Sequence, residues 1–576
     1  EIADRDWSSD VCSSDLEATP QDMPDPNERA ADDAGTKTPD PTSAPTARRP
    51  ATDGPRASSA TSPSGMPRRP AHAAITNPKA DIEALNNLEH HLYAHRYARI
   101  GLECYGPSID PSAATSDRGE ALAVLEEEDQ ALLCSPETGA LLDRLSGLGH
   151  LLSEMQELQI KVLQRDREQH LGVPVELQAN FSRLVTKSSD VWRRAKATSD
   201  WYYFEPYLDR VVAAARKVAL ARRPDADPYD TWLDNFEHGT DRAFYDELFS
   251  TIKDCVVPLL TAIREKGTQP SRTVVAGKFD KRRQWELAND LMKLEGLAPN
   301  RVLLVSAEHP YSDALTTNYA IIACHIHEND ICSNVFTMLH EGGHALYELG
   351  VNPDYNYSSL KGGTSSGMHE SQSRFFENYI GRSRAFAGPL IRVMADHFKG
   401  QLGRVTPNQL HLATNRAEGT AVRTEADELS YPIHILIRYE IEQMLFSGEC
   451  VARDVPRIWN AKYKEYLGVN VHGDAQGALQ DTHWASGLFG YFPTYAFGGA
   501  IGAQLRAQMI KEGMDWEGVL SSGKLTPIHD WLRQHIWRYG RSKDAGELIM
   551  DACKEPFSTS YYTDYLTKKF SALYGL

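Results

Sequence analysis

"SNVFTMLHEGGHALYELG", residues 333–350, sets His340 and His344 one helical turn apart with Glu341 next to the first. On a helix, residues four apart lie on one face, so both imidazoles can address a single ion with Glu341 beside them. Ser333 suits the N-cap of such a helix. Val335, Phe336, Leu339 and Leu346 give it an apolar face, and Gly350 and Pro353 stop it. Zinc prefers nitrogen donors with a carboxylate and, when catalytic, keeps one position open for water. A Glu next to the histidines can take a proton from that water. By residue frequencies, chance produces this pattern in about 4% of chains like this one. Gly342 and Gly343 cost roughly 1 kcal/mol each relative to Ala in a helix interior. Close approach of another backbone or of a substrate should offset them.

A third ligand belongs on a second helix. "SSGMHESQSRFFENYIGR" (365–382) reads as a helix from near Ser366, with Phe375, Phe376, Tyr379 and Ile380 on its buried side, and it offers Glu370. Glu377 is the rival ligand on the same helix. The helix dipole alone also favours a carboxylate at Glu370. His369 suits a substrate contact or a partner of a metal-bound side chain.

Outward from these segments the chain reads as one mainly α-helical body. Apolar residues recur every three or four positions over 81–105, 139–171, 207–223 and 243–266. The clearest strand is "RVLLVSAEH" (301–309), and no repeat of fixed period occurs. Residues 17–70 are rich in Pro, Ala, Asp, Thr, Ser and Arg without core periodicity, so residues 1–76 are expected to be a disordered, low-complexity extension. Within it, 1–16 contain "RDWSSDVCSSDL", which resembles a translated sequencing-adapter fragment, and no initiating Met is present. The expected catalytic domain is 77–576.

The 576 residues carry a formal net charge of −18, with 41% hydrophobic residues. So acidic a surface argues against nucleic acid or an anionic membrane as the main partner, although a basic lining in one cleft still attracts an anionic group. The eight cysteines form no C-x-x-C pair and read as buried thiols in a reducing compartment. With no membrane-length apolar run and no secretory pattern, the cytoplasm is the expected location.

Four segments then occur in order: "HEGGH" (340–344), "HESQS" from His369, "VRTEADELSYPIHI" (422–435) and "GALQDTHWASGLFGYFP" (477–493). Together they resemble the carboxypeptidase Taq family of zinc metallocarboxypeptidases, whose motifs are HExxH, HES, (I/V)RxxAD and GxxQDxHW. The resemblance spans roughly residues 80–576. It implies an all-α fold with minor β, a deep substrate cleft and a neurolysin-like architecture. It also implies homodimers that remove single residues from peptide C-termini with broad specificity. His340, His344 and Glu370 match the metal ligands, with zinc or alternatively cobalt as the ion, and Glu341 matches the general base. Arg423 lies in the (I/V)RxxAD block, where a guanidinium suits a terminal carboxylate; its structural alternative is an ion pair with Glu425, Asp427 or Glu428. His483, and less directly Tyr491, are candidates to donate to the oxyanion. Gln480, Asp481 and Trp484 read as supports of the cleft.

One family motif, Asp-x-Arg-x-Thr, departs. Its register here is either Tyr319–Ala323 or Asp313–Thr317, and both lack the arginine. An endo-acting oligopeptidase on the same metal site is therefore the alternative to a carboxypeptidase.

Overall fold

Asp330, rather than Ser333, starts the motif helix. Its carboxylate accepts hydrogen bonds from the backbone N–H groups of Cys332 (2.9 Å) and Ser333 (3.1 Å), donors that a helix start leaves open. The helix runs Ile331–Gly350, and every residue in it except Ser333 and Leu349 is buried. It is a central core helix, not one with a single apolar face. The computed structural model describes residues 77–109, 115–307 and 310–576. The expected disordered segment over 1–76, with Cys12, lies outside them.

Long helices Pro78–Ile109, Trp201–Arg222 and Arg242–Lys266 form where the apolar spacing predicts them. The run over 139–171 is divided into helices Pro136–Ser146 and Glu154–His170. The second starts at a capping box: the Ser153 hydroxyl accepts from Gln156 N at 3.3 Å, and the Gln156 side chain accepts from Ser153 N at 2.9 Å.

Three strands make one small sheet: β1 (Val302–Ser306), β2 (Tyr311–Thr316) and β3 (Tyr319–Cys324). The order is β1-β3-β2, with β1 parallel and β2 antiparallel to β3. Only β1 is legible in the sequence. In β3, Ala320 through Cys324 are all buried, so the strand reads as a continuous apolar run without alternation. β2 and β3 pack on the motif helix. Leu315 and Ile321, at the arginine position in the two registers, are both buried in an apolar cluster with Ile100 and Cys104 of the helix Pro78–Ile109. An apolar contact to that helix stands where the family motif has a charge.

The two glycines answer to two neighbours. A Cβ on Gly343 would come within 2.5 Å of the Gln372 carbonyl oxygen and 2.8 Å of Ser373 Cα, so the backbones of two helices meet there. A Cβ on Gly342 would run into the Glu295 carboxylate. Among the described residues no helix is long and apolar enough to cross a membrane. The seven described cysteines are free thiols.

Candidate metal centre

Ser365 caps the helix Ser366–Arg374, its hydroxyl accepting from Met368 N at 3.1 Å, and this helix presents His369 and Glu370. The chain then widens into a π-helical turn, Phe375–Gly381, that carries Glu377; such turns are frequent at functional sites.

His340 Nε2 and His344 Nε2 lie 3.7 and 3.6 Å from Glu370 Oε2. One donor atom from each residue falls within 4.8 Å of the others, and all three side chains are buried. His344 Nε2 makes no hydrogen bond, a costly state for a buried nitrogen unless something takes its lone pair. The opposite nitrogens are engaged. His340 Nδ1 is 3.1 Å from Glu377 Oε2. His344 Nδ1 is 2.6 Å from His369 Nδ1, and His369 Nε2 is 3.1 Å from Glu348 Oε1. Tautomers follow from this network: His344 donates to His369, His369 donates to Glu348, His340 donates to Glu377, and both Nε2 atoms are left as acceptors. Outward hydrogen bonds of this kind orient metal-binding histidines, and two imidazoles with a carboxylate fit a zinc-type ion.

Charge at His344 agrees with that fit. Burial, His369 and His340 hold His344 well below the usual imidazole range, in the neutral form a metal needs. Burial opposes a charge on His340 too, but Glu370 and Glu377 outweigh it and hold it above its ordinary value. Glu377 is thus the acceptor behind His340, with Arg374 and Arg382 on its oxygens, and Glu370 faces both histidines. Arg374 Nε donates to Glu370 Oε1 at 2.6 Å, and its guanidinium lies 4.1 Å over the Tyr431 ring. The Glu-to-Arg spacing of one helical turn was a readable sign of this pair.

Glu341 is fully buried. The Ser312 hydroxyl, on β2, lies 2.6 Å from Glu341 Oε2 and 2.9 Å from its carbonyl oxygen. Behind the same turn sits Glu295, fully buried, with neither carboxyl oxygen hydrogen-bonded. Burial and the charge of Glu341 push its pKa well above the usual carboxylate range. No sequence signal pointed to Ser312 or Glu295.

Arg423 pairs with Asp481, not with Glu425, Asp427 or Glu428. Its Nε and Nη2 donate to Asp481 Oδ1 at 3.0 and 2.8 Å, and its Nη1 donates to Tyr431 Oη at 3.0 Å. Arg438 donates to Asp481 Oδ2 at 2.6 Å. Burial would raise Asp481, yet Arg423 and Arg438 hold it far below the usual carboxylate range. Asp427 instead accepts from Leu429 N and Ser430 N in the turn before the helix Tyr431–Ser447, and Glu428 takes Tyr565 and Lys569.

His483 Nε2 lies 3.2 Å from Tyr495 Oη, and its ring stacks on Phe492 at 4.2 Å. Tyr491 stands 5.7 Å from the His483 ring and edge-on to Phe236. Trp484 donates to Glu442 at 2.8 Å and Gln480 accepts from Arg423 N at 2.8 Å, both as supports. Arg423 lies 5.2 Å from the Tyr495 ring. Contacts thus run without a break from Glu370 through Arg374, Tyr431, Arg423 and Tyr495 to His483.

Two packed core helices carrying a buried His-His-Glu group, with a further carboxylate beside the histidines, define a metal-dependent hydrolase site on a helical scaffold. Residues 102–570 match the family model described as carboxypeptidase Taq (M32) metallopeptidase. The chain is 33% identical over 466 residues to carboxypeptidase 1 of Bacillus subtilis (strain 168), covering 81% of this chain and 93% of that protein. It is 31% identical to thermostable carboxypeptidase 1 of Thermus thermophilus, with the same coverage of 81% and 93%. The M32 carboxypeptidase of Deinococcus radiodurans R1 superposes with a TM-score of 0.83 at 30% identity, over 86% of this chain and 100% of that one. The chain belongs to the carboxypeptidase Taq (M32) metallopeptidase family. It is a metallocarboxypeptidase, a hydrolase of peptides.

Proposed function

We propose that His340, His344 and Glu370 hold a catalytic zinc, with cobalt as the alternative ion, and that Glu341 is the general base for hydrolysis of the C-terminal bond of a broad range of peptides. The observation that carries this is the convergence of three buried donors within 4.8 Å, with His344 Nε2 otherwise without a partner. A metal held there by His340, His344 and Glu370 would polarise the scissile carbonyl and acidify its water. Glu341 accepts the proton of the attacking water and passes it to the leaving amine, with Ser312 keeping its carboxylate in orientation. His483, with Tyr491 beside it, donates to the oxyanion, and Tyr495 fixes the His483 ring. Arg423 meets the terminal carboxylate of the substrate. Arg423 and Arg438 converge on the one carboxylate of Asp481, which fixes the Arg423 guanidinium in place and supports this role. His369 both holds His344 and faces substrate. Residues 77–576 are the catalytic domain, and 1–76 an extension of it. Free thiols suit a reducing compartment and support a cytoplasmic enzyme; a homodimer is the assembly the family resemblance implies.

Glu341→Gln tests the base directly. The variant keeps its metal, measured by elemental analysis, and loses turnover roughly 10²–10⁴-fold. Full activity removes Glu341 from the chemistry, and loss of the metal makes it a ligand instead.

A further inference from the structure

A cavity of about 340 Å³ lies between the first helices and the metal group, within the range of roughly 300–1,000 Å³ that ligand pockets occupy. Helices Pro78–Ile109, Thr115–Cys134 and Glu154–His170 wall one side; the loop 359–366, Glu348 and His369 wall the other. His369 ties it to the metal group, because its Nδ1 is the partner of His344 Nδ1. The cavity therefore adjoins the His344 side of the group. Arg374, Tyr431 and Arg423 extend from Glu370 instead, and none of the three lines the cavity.

Five cations line this cavity, and four have a carboxylate within 4.0 Å. Arg541 donates to both oxygens of Asp166, at 3.0 and 2.6 Å. Arg165 donates to Asp544 at 2.8 Å. Lys361 lies 3.9 Å from Glu348, and Arg99 lies 3.8 Å from Asp129. Arg96 differs. Its Nη2 donates to the Ser358 carbonyl at 2.9 Å, and among the described residues no carboxylate lies within ion-pair distance of it. Glu103, Glu126 and Asp313 also line the cavity, each with a partner of its own. The nearby Glu89 is raised to about 7 by burial, although Ser359 donates to it, so it answers only part of the arginine's charge. A guanidinium stays charged at any working pH and offers a fork that matches a carboxylate.

We propose that this cavity is a specificity subsite for an acidic side chain of the peptide on the amino side of the scissile bond, with Arg96 as its cationic partner. The assignment rests on the peptidase reading above and deepens it. The terminal carboxylate goes to the Arg423 flank, and the chain that precedes the bond passes His369 and places its carboxylate side chain on Arg96.

The test uses the metal-loaded full chain and N-acylated peptides with a common C-terminal residue. Glu, Gln or Lys is placed at the first or the second residue before the scissile bond, and kcat/KM is measured for each. At one of these positions Glu is preferred over Gln by roughly 10- to 100-fold, the range of a hydrogen bond between charged groups. Arg96→Met brings that ratio to near one, Arg96→Lys retains part of it, and Arg96→Glu turns the preference toward Lys. Hydrolysis of the Gln peptides with no charge preference at either position overturns the subsite alone. An unchanged ratio in Arg96→Met does the same, as does an equal loss on every peptide, which would make Arg96 the partner of the terminal carboxylate. Failure to hydrolyse any peptide overturns both the subsite and the peptidase reading.

Discussion

On the Glu370 side of the metal group, charge is locked. Arg374 is held between Glu370, Glu377 and the Tyr431 ring, and Arg423 and Arg438 close on Asp481. On the His344 side, charge faces space: His369 and Glu348 lead into a cavity where Arg96 donates to a carbonyl oxygen and has Glu89 and Glu348 only at longer range. The same residue types build a rigid wall in one place and a receptive one in the other. What separates them is burial and the count of partners, since Arg423 and Arg438 are 2% and 0% exposed while Arg96 borders the cavity. A fixed guanidinium cluster suits a group common to every substrate, the terminal carboxylate. An open cavity suits what varies between substrates.

Substitutions that remove a partner should separate the two sides. The largest effect belongs to Asp481→Asn. It leaves Arg423 and Arg438 facing each other without their shared carboxylate, and removing one member of a buried charge network typically costs about 3–5 kcal/mol. Chemical denaturation should show that loss, together with a fall in kcat/KM. A variant of wild-type stability would mean that the wall is not held by this network.

A smaller effect is expected at Glu89, which ties the helix Pro78–Ile109 to Ser359 through hydrogen bonds of 2.7 and 2.8 Å. Burial, despite the Ser359 donors, raises its pKa from 4.5 to about 7. The folded protein therefore holds that proton more tightly than the unfolded chain does. The stability this contributes is complete below pH 4.5 and is lost as pH rises through about 7. Stability measured at pH 5 and pH 8 should thus differ less in Glu89→Gln than in the wild type, by at most about 3 kcal/mol. The same slope in both proteins would remove Glu89 as its source.

Much of the metal group was legible because its geometry is local. His340 and His344 are one turn apart, Glu370 sits at the start of the next strongly patterned helix, and the structure brings the three together. The glycines posed a readable question, and their neighbours proved to be Glu295 and the backbone at Gln372–Ser373. Those neighbours, like Ser312 behind Glu341 and Asp481 between its arginines, come from segments distant in sequence. No periodicity signals such a meeting. Arg423 shows the limit: the ion-pair partners considered as its structural alternative were near neighbours in sequence, yet tertiary packing gave it Asp481. β3 stayed hidden for a related reason, because a strand buried on both faces shows no alternation.

The proposed binding mode sets the carboxyl end of the peptide on the Glu370 side of the metal group. Its most direct test compares kcat/KM for one peptide as the free acid and as the C-terminal amide, which differ only in the charge offered to Arg423. The free acid should be hydrolysed at least about 10- to 100-fold more efficiently, the range for a charge-assisted pair. Equal hydrolysis of the two would contradict the assignment of that side to the terminal carboxylate.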